Sequence, residues 1–428
     1  MKIRIIGSTK AGYKLPVEEA LDFGGKAAGI CYMPDNFDAI LNEDVEKTRK
    51  RMQRTLKAGH HSVYDHPTYN FLFEDIPKIL AMVLNNEGFY TTSEKSARYT
   101  KMNPNEQEKF LYNKWINILK NKIRKAYPQI KEKQAEKLAQ ENARYMISVF
   151  TPTTMAYTVS LRQISNIISM MKRFIDEEPD TDFNKKLKEC MKNFVEECRE
   201  FDIPHLNGNA KNRKLALFDT RKSRRNEFGE NYSVNYLGSF AQLAQAQRHR
   251  TLDYRIRIPQ NNLEFYIPPI IRSENNGEGN ELESEWLRDI RSVSEVYPQG
   301  MLININERGT YENFILKAKE RLCGSAQLEI AIQTAKILIE YIQALESCNT
   351  ANSFDSNANA RNGNNAYDRS KDNEIDECDE YCEIKEYLLQ YVKKDVENNY
   401  IAVPRCRFPD WICTEPCIWG AKGLDRLV

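Results

Sequence analysis

The chain has 428 residues, 41% of them hydrophobic, so it is long enough for two domains with ordinary apolar cores. Its 62 Lys and Arg nearly balance its 61 Asp and Glu, so the bulk charge gives no support to a nucleic-acid or membrane surface. The sequence has no apolar run of about 18 residues and no signal-peptide core, and we expect a cytoplasmic protein. Six of its ten cysteines are scattered through helical or strand-like stretches without regular spacing and are most simply buried thiols.

The first half of the chain predicts alternating strands and helices. KIRIIG and TYNFLFEDI are typical of strands, whereas PVEEALDFGGKAAGICYM and DVEKTRKRMQRTLKAG are typical of helices, the second ended by Gly59. Further helices are expected at PKILAMVLNN, at about 106–148 and at about 154–176. Pro, Gly and Asn cluster in REFDIPHLNGNAKN, which indicates a domain boundary, and we place it after residue 205.

The second half repeats this order. NYSVNYLGS predicts a strand, FAQLAQAQRHR a helix and LEFYIPP another strand, and residues 283–297 and 310–346 are largely helical in pattern. Residues 349–373 hold eight Asn and few apolar groups, so we expect a disordered loop. A cysteine-containing tail, 404–428, closes the chain. The predicted domains are therefore 1–205 and 206–428, related by an internal duplication.

Two stretches of the first half carry groups suited to binding. GHHSVYDH holds His60, His61, Asp65 and His66, which could converge on a metal, but a turn with hydrogen-bonded histidines is the favoured interpretation. In TTSEKSARYT, a carboxylate, a hydroxyl and a guanidinium alternate and would face one side of an extended loop. That set suits a nucleotide, because Arg and Ser bind phosphate and Glu accepts from N–H or O–H groups.

The second half carries the triplet Arg248-His249-Arg250 behind a helical run without acidic residues. A solvated basic helix end would explain the triplet equally well. An anion from outside the chain is the alternative, because nothing in the run neutralises the two guanidinium groups.

Together these motifs resemble the flavin-dependent thymidylate synthases. The first half has the His-containing turn and an EKSARY loop, but Asn86-Glu87-Gly88 stands where the family has Arg-His-Arg. It also has ENARYMIS and VSLRQISN, with Ser160 in place of Asn and Met171 in place of the family's uracil-activating Arg. The second half has QAQRHR, LEFYIP and KERLCGSAQLEIA, but lacks the Glu-x-Ser-x-Arg set and the Arg of ENARYMIS. Each half therefore keeps what the other has lost.

The resemblance implies an α+β fold with two homologous domains, each a sheet with a helical bundle. Active sites of the family are formed by four identical chains, so a tandem chain is expected to form a homodimer that acts as a pseudo-tetramer. The implied reaction is reductive methylation of dUMP to dTMP, with FAD as cofactor and NADPH and methylenetetrahydrofolate as co-substrates. No nucleic-acid, membrane or metal partner is expected.

The resemblance also assigns roles to individual residues. Arg321 would be catalytic, polarising the uracil. The residues expected to bind FAD are His60, Ser62, Glu94, Arg162, Asn166, Arg248, His249 and Arg250. The residues expected to bind dUMP are Gln245, Arg248, Glu94, Ser96, Ala97, Arg98, Arg144 and Arg321.

Three alternatives stay open at this point. The first is a relative that transfers a hydroxymethyl group to the nucleotide without reduction. The second is a non-catalytic protein that binds flavin or nucleotide. The third is a zinc-stapled module built from the thiols of the C-terminal region, whose spacing departs from the usual Cys-x-x-Cys: Cys378, Cys382, Cys406, Cys413 and Cys417.

Overall fold

The structure is a computed structural model that describes residues 1–10, 15–32, 37–96, 103–206, 213–219, 225–272, 278–358, 377–414, 417–420 and 423–428. The chain divides into two compact units, each built from several segments. The first unit contains 1–112, 146–219 and 292–299, and the second contains 113–145, 220–291 and 300–428. Both units therefore draw on sequence from each side of the predicted boundary after residue 205.

The first unit is built on a four-stranded antiparallel sheet. Its strands are β1 (Lys2–Ser8), β2 (Thr68–Pro77), β3 (Tyr90–Glu94) and β4 (Pro152–Ser160), in the order β1-β2-β4-β3. Alternate residues of β2 are buried, as the period of two along a strand with one covered face requires. Its helices are α1 (Val17–Tyr32), α2 (Phe37–Leu41), α3 (Val45–Ala58), α4 (Lys78–Leu84), α7 (Leu161–Glu177) and α8 (Asp182–Glu197).

Aromatic side chains fill the core against this sheet. Phe73 of β2 contacts Tyr157 of β4 and Phe194 of α8, with ring centroids 5.9 and 5.6 Å apart. All three rings are almost completely buried. Burial of aromatic area on this scale is a main source of the unit's stability.

The second unit is built on a three-stranded antiparallel sheet with a separate hairpin. The strands β5 (Asn231–Ser239), β6 (Asp253–Arg257) and β7 (Leu302–Thr310) lie in the order β5-β7-β6, and β8 (Val392–Lys394) pairs with β9 (Tyr400–Ala402). Helix α5 (Glu106–Ala126) enters this unit at residue 113. The other helices are α6 (Glu132–Ala143), α9 (Phe240–Ala246), α10 (Pro269–Arg272), α11 (Glu278–Ser292), α12 (Tyr311–Arg321), α13 (Leu328–Ala358) and α14 (Glu377–Leu389).

The same succession of elements occurs on both sheets. The order β2-α4-β3, then helices, then β4-α7 is matched by β5-α9-β6, then helices, then β7-α12. Strands β4 and β7 are each nine residues long, and α4 and α9 are each seven. Ser160 and Thr310 cap the helices that follow, each accepting from the backbone N–H three residues on. The predicted α+β class is confirmed.

Several sequence predictions were wrong in detail. The helix expected at about 154–176 is β4 followed by α7, because the residues up to Val159 are buried at every second position. The helix expected at 106–148 is two helices, separated at Pro128, which cannot continue a helix. The expected loop at 349–373 is helical as far as Ala358, and its remainder lies outside the described residues.

Two corrections concern the region of the Arg-His-Arg triplet. Helix α9 ends at Ala246, so the triplet lies in the turn after the helix, where His249 N–H bonds to the Ala246 carbonyl at 3.0 Å. The strand expected at LEFYIPP is absent apart from one bridge between Phe265 and Met301. The strand lies earlier, at Asp253–Arg257, where it pairs with β7 at the edge of the sheet.

Candidate active site

The first unit places the His-containing turn between α3 and β2. Helix α3 ends at Gly59, whose left-handed conformation (φ 79°) suits a residue without Cβ. A short 3₁₀ helix, His61–Asp65, follows. His61 is buried, and its Nε2 lies 3.0 Å from the Leu56 carbonyl oxygen, which agrees with the favoured interpretation of a hydrogen-bonded turn. The side chains of His60 and Ser62, by contrast, are exposed and accessible to a ligand.

The start of α7 lies against this turn. Asp65 accepts hydrogen bonds from Ser160 Oγ at 2.8 Å and from Arg162 Nη1 at 2.7 Å. Asn166 lies one helical turn after Arg162 and therefore on the same side of the helix. It is only 6% exposed, and its buried Oδ1 has no hydrogen-bond partner among the described residues. A buried acceptor of this kind is costly unless a ligand or solvent satisfies it.

A cationic cavity of about 720 Å³ opens beside the same turn. Its lining combines the last residues before the turn with the basic side chains of α3: Lys47, Lys50, Arg51, Arg54, Thr55, Ala58 and His60. Arg51 forms an ion pair with Glu43 at 2.7 Å. The cavity is large enough for part of a cofactor, and its charge favours an anionic group.

The predicted nucleotide loop begins where β3 ends. Glu94 is the last residue of β3 and forms an ion pair with Lys78 at 2.6 Å, with 10% of its side chain exposed. Ser96 is half-buried. Ala97 and Arg98 lie outside the described residues.

The second unit gathers the other predicted residues at the end of α12. Arg321 Nε donates to His249 Nε2 at 2.7 Å, and Arg321 Nη2 donates to the Gln245 carbonyl at 3.2 Å. All three residues are buried, whereas Arg248 and Arg250, on either side of His249, are exposed. The triplet thus directs its imidazole inward and presents its two guanidinium groups outward.

The contact with Arg321 fixes the protonation state of His249. Because a guanidinium can only donate, His249 Nε2 must be an unprotonated acceptor. Burial lowers the pKa of His249 to about 2, and the charges of Arg321 and Lys317 act in the same direction. The imidazole is therefore neutral at physiological pH, with its proton on Nδ1.

A buried ion pair joins α12 to β7, through Lys317, which lies one helical turn before Arg321, and Glu307. Lys317 Nζ contacts both carboxylate oxygens of Glu307 at 2.6 Å, and neither side chain is exposed to solvent. Tyr232 and Tyr236 each donate to that carboxylate at 2.8 Å. Burial lowers the pKa of Lys317, and the Glu307 carboxylate opposes the change. Sequence reasoning did not identify this pair.

Arg144 comes from the predicted first domain but lies in the second unit. Its Nη2 donates to Gln327 Oε1, and Gln245 Nε2 donates to the same oxygen. The predicted residues Arg144 and Gln245 are thus brought together by Gln327, which the sequence prediction did not include among the site residues. The sequence did contain a signal for Gln327, because this residue belongs to the AQLEI stretch that carried part of the resemblance.

The alternative of a zinc module finds no matching geometry. Among the described residues, no three His, Cys, Asp or Glu side chains are arranged to hold a metal ion. The side chain of Cys378 lies outside that description. In the same part of the chain, no helix is long and apolar enough to cross a membrane.

Comparisons with known proteins agree with the motifs. Residues 20–198 match the family described as thymidylate synthase complementing protein. The flavin-dependent thymidylate synthase of Clostridium tetani is 27% identical over 162 residues, which cover 33% of this chain and 65% of the relative. That of Thermococcus onnurineus is 24% identical over 186 residues, 40% of this chain and 70% of the relative. The chain thus spans about two thirds of the length of these relatives.

Solved structures of similar proteins cover about half of the chain. Thymidylate synthase X of Helicobacter pylori, solved with FAD and dUMP, is 16% identical with a TM-score of 0.30, over 49% of this chain and 100% of that one. The UMP/dUMP methylase PolB of Streptomyces cacaoi, solved with 5-Br dUMP, is 14% identical with a TM-score of 0.29, over 49% and 93%. Residues 20–198 thus match the thymidylate synthase complementing protein family, and the chain is similar to curated flavin-dependent thymidylate synthases.

Proposed function

We propose that the protein methylates dUMP to dTMP reductively, with FAD as cofactor, methylenetetrahydrofolate as carbon donor and NADPH as reductant. The observation that carries this proposal is the buried set in the second unit. Arg144, Gln245, His249 and Arg321, which the resemblance assigned to nucleotide and flavin, lie there in one hydrogen-bonded group.

The residues of both units fit a flavin. In the first unit, hydrogen bonds are offered by the Arg162 guanidinium, by the exposed His60 and Ser62, and by Asn166 Oδ1, which has no partner among the described residues. Of these, His60 also lines the cationic cavity. In the second, exposed Arg248 and Arg250 suit the pyrophosphate, because charge-assisted hydrogen bonds are about twice as strong as neutral ones. When bound, reduced FAD supplies the hydride of the reaction.

The protein's own part is to polarise the uracil. Methylation at C5 requires an electron-rich ring, which places negative charge on the uracil oxygens and N3. The Arg321 guanidinium stabilises that charge in a buried setting, where electrostatic interactions are strong. Neutral His249 holds Arg321 in place without adding a competing positive charge.

The two halves of the chain descend from one ancestral domain in this proposal. Asn86-Glu87-Gly88 and Arg248-His249-Arg250 each begin two residues after the end of a seven-residue helix. Met171 and Arg321 are each the eleventh residue of the helix that follows the capping Ser or Thr. The intact copies of these two parts are both in the second half, whereas Glu94, Ser96, Arg98 and Arg144 are in the first. Complementary loss of this kind is expected when each site needs only one copy of each part.

The test starts with the absorption spectrum of the purified protein. We expect a yellow flavoprotein that NADPH bleaches, and formation of dTMP from dUMP and methylenetetrahydrofolate, identified by mass. A product heavier by one oxygen would indicate hydroxymethyl transfer. Bound flavin without any product would indicate a binding protein.

Replacement of Arg248 checks the flavin assignment. Arg248→Ala should lower flavin affinity by about 1.5–3 kcal/mol, the usual contribution of a hydrogen bond to a charged group. Arg291→Ala removes an exposed Arg at the end of α11 and should leave the flavin content unchanged. Full flavin occupancy and full turnover in Arg248→Ala would refute the assignment.

A further inference from the structure

Gln327 lies at the centre of a buried polar network in the second unit. Its Oε1 accepts from Arg144 and Gln245, and its Nε2 donates to the Tyr145 hydroxyl. Gln327 is 2% exposed, and the other three residues are at most 6% exposed. Each of these hydrogen bonds is therefore shielded from water and depends on correct orientation of the Gln327 amide.

Tyr145 and Glu329, on the other side of Gln327 from Arg144 and Gln245, explain the orientation of the Gln327 amide. Tyr145 Oη donates to Glu329 Oε2 at 2.6 Å. Ser239 donates to the same carboxylate from its backbone N–H at 2.9 Å and from its hydroxyl at 2.7 Å. Ser239 Oγ is itself the acceptor that caps α9, with Gln242 N–H at 3.0 Å, so its own proton is available to Glu329.

The hydrogen bonds of this network all run in one direction, toward the Glu329 carboxylate. The Glu329 carboxylate accepts a hydrogen bond from the Tyr145 hydroxyl, so the hydroxyl oxygen is left to accept from Gln327 Nε2. Once Nε2 is engaged there, Oε1 must face Arg144 and Gln245, both of which are donors. A flipped amide would set N–H groups against two donors and leave the Tyr145 oxygen without its donor.

The three segments that meet at this network come from distant parts of the sequence. Arg144 and Tyr145 follow α6, Ser239 begins α9, and Gln327 and Glu329 stand at the start of α13. Arg144 and Gln327 are 183 residues apart in the chain. The ring of Tyr145 is held in turn by Tyr266, at a centroid distance of 4.8 Å.

From this geometry we infer that Gln327 is a positioning residue, oriented by Tyr145 and Glu329, that aims Arg144 of the first half and Gln245 of the second half at a common uracil nucleotide. The inference rests on the proposed function for the identity of the ligand. Gln327 acts through its two neighbours and need not touch the nucleotide. It joins the two halves of the sequence in one binding site.

The first test measures nucleotide affinity by titration calorimetry with dUMP. Gln327→Met keeps the side chain's length but removes both polar atoms, and Tyr145→Phe removes only the hydroxyl. We expect each to weaken dUMP binding by about tenfold, since the arginine and glutamine lose their shared acceptor or its orientation. Bound flavin should stay at the wild-type level, because neither residue belongs to the predicted flavin set.

Gln140→Met is the matched control. Gln140 is another buried glutamine of the second unit, and its Nε2 has no hydrogen-bond partner among the described residues. The substitution makes the same chemical change without touching the network, and dUMP affinity should not move. Equal losses in Gln327→Met and Gln140→Met would overturn the inference, as would wild-type affinity in Gln327→Met and Tyr145→Phe.

A second test needs no ligand. Arg144→Met and Gln245→Met are combined in a double-mutant cycle, read from the urea midpoint of unfolding. The two changes should be non-additive in the wild-type background and additive in Gln327→Met, because Gln327 Oε1 accepts hydrogen bonds from both side chains. If wild-type protein binds no dUMP but this coupling is found, the proposed function fails and the positioning role of Gln327 stands. If dUMP binds but the coupling is absent, the proposed function stands and the positioning role of Gln327 fails.

Discussion

At the scale of single residues, the site depends on buried groups whose protonation is set by their neighbours. His249 is 8% exposed and accepts from Arg321, so charging it would break the contact and place two cations side by side. The same contact explains how a His can stand between two arginines. Its imidazole is a neutral support for the buried Arg321 guanidinium, while Arg248 and Arg250 face outward.

The neutral state of His249 predicts a pH dependence of stability. Its pKa is about 2 in the folded protein against 6.5 for the unperturbed group, so below pH 6.5 the unfolded chain binds a proton that the folded chain does not. Stability is therefore lost as the pH falls. At pH 5 the loss from this residue alone amounts to about 2 kcal/mol relative to neutral pH.

His249→Gln should flatten this dependence. Glutamine keeps an acceptor for Arg321 but does not titrate, so its urea midpoint should fall less between pH 7 and pH 5 than that of the wild type. His66→Gln, at an exposed histidine, should retain the wild-type slope. Parallel curves for the wild type and His249→Gln would show that His249 titrates normally.

At the scale of elements, the turn after α4 and the turn after α9 hold different buried groups. Glu87 occupies the position that His249 has in the second half, and its buried carboxylate accepts from Ala216 N–H. Phe218, in the same short 3₁₀ helix, packs on Phe174 of α7 at 5.1 Å. The segment 213–218 is thus held against the turn after α4 and against α7 of the first unit.

Removing Glu87 should destabilise the first unit. Glu87→Ala leaves the Ala216 N–H without its acceptor and should cost about 1–3 kcal/mol in the free energy of unfolding. Glu87→Gln retains an acceptor oxygen and should cost less, although it loses the ion pair with Arg213 at 3.6 Å. Equal losses in the two variants, measured by urea unfolding, would mean that the hydrogen bond to Ala216 contributes little.

Much of this element structure could be predicted from the sequence, because single strands and helices have local patterns. TYNFLFEDI alternates, and α3 carries its apolar residues at helical spacing before a terminal Gly. The strand β4 was missed because PTTMAYTVS runs directly into a helix, without a turn residue between them. The network around Gln327 could not be predicted, since burial of a polar side chain depends on partners 183 residues away.

At the scale of the whole molecule, the proposed function assigns one copy of each site component to the chain, some in the first compact unit and some in the second. Arg144 has joined the second-half residues within the second unit. Glu94 and Ser96 belong to the first unit. The resemblance implies a homodimer that acts as a pseudo-tetramer. For such a dimer we propose that each site takes its Glu94–Arg98 loop from one chain and its Arg248–Arg321 cluster from the other.

Co-expression of two inactive variants tests this arrangement. Arg98→Ala damages the loop, Arg248→Ala damages the cluster, and different affinity tags allow purification of the dimer that contains one chain of each. Of the two sites in this dimer, one then carries both lesions and the other carries none. We expect about half of the wild-type activity per dimer, from the one intact site.

As a control, Arg98→Ala paired with Glu94→Ala puts both lesions in the same component, so every site is damaged and activity should stay absent. An inactive heterodimer of Arg98→Ala and Arg248→Ala would instead mean that loop and cluster meet within a single chain, because every site would then hold one lesion. Full activity of Arg98→Ala alone would contradict the division of labour between the halves.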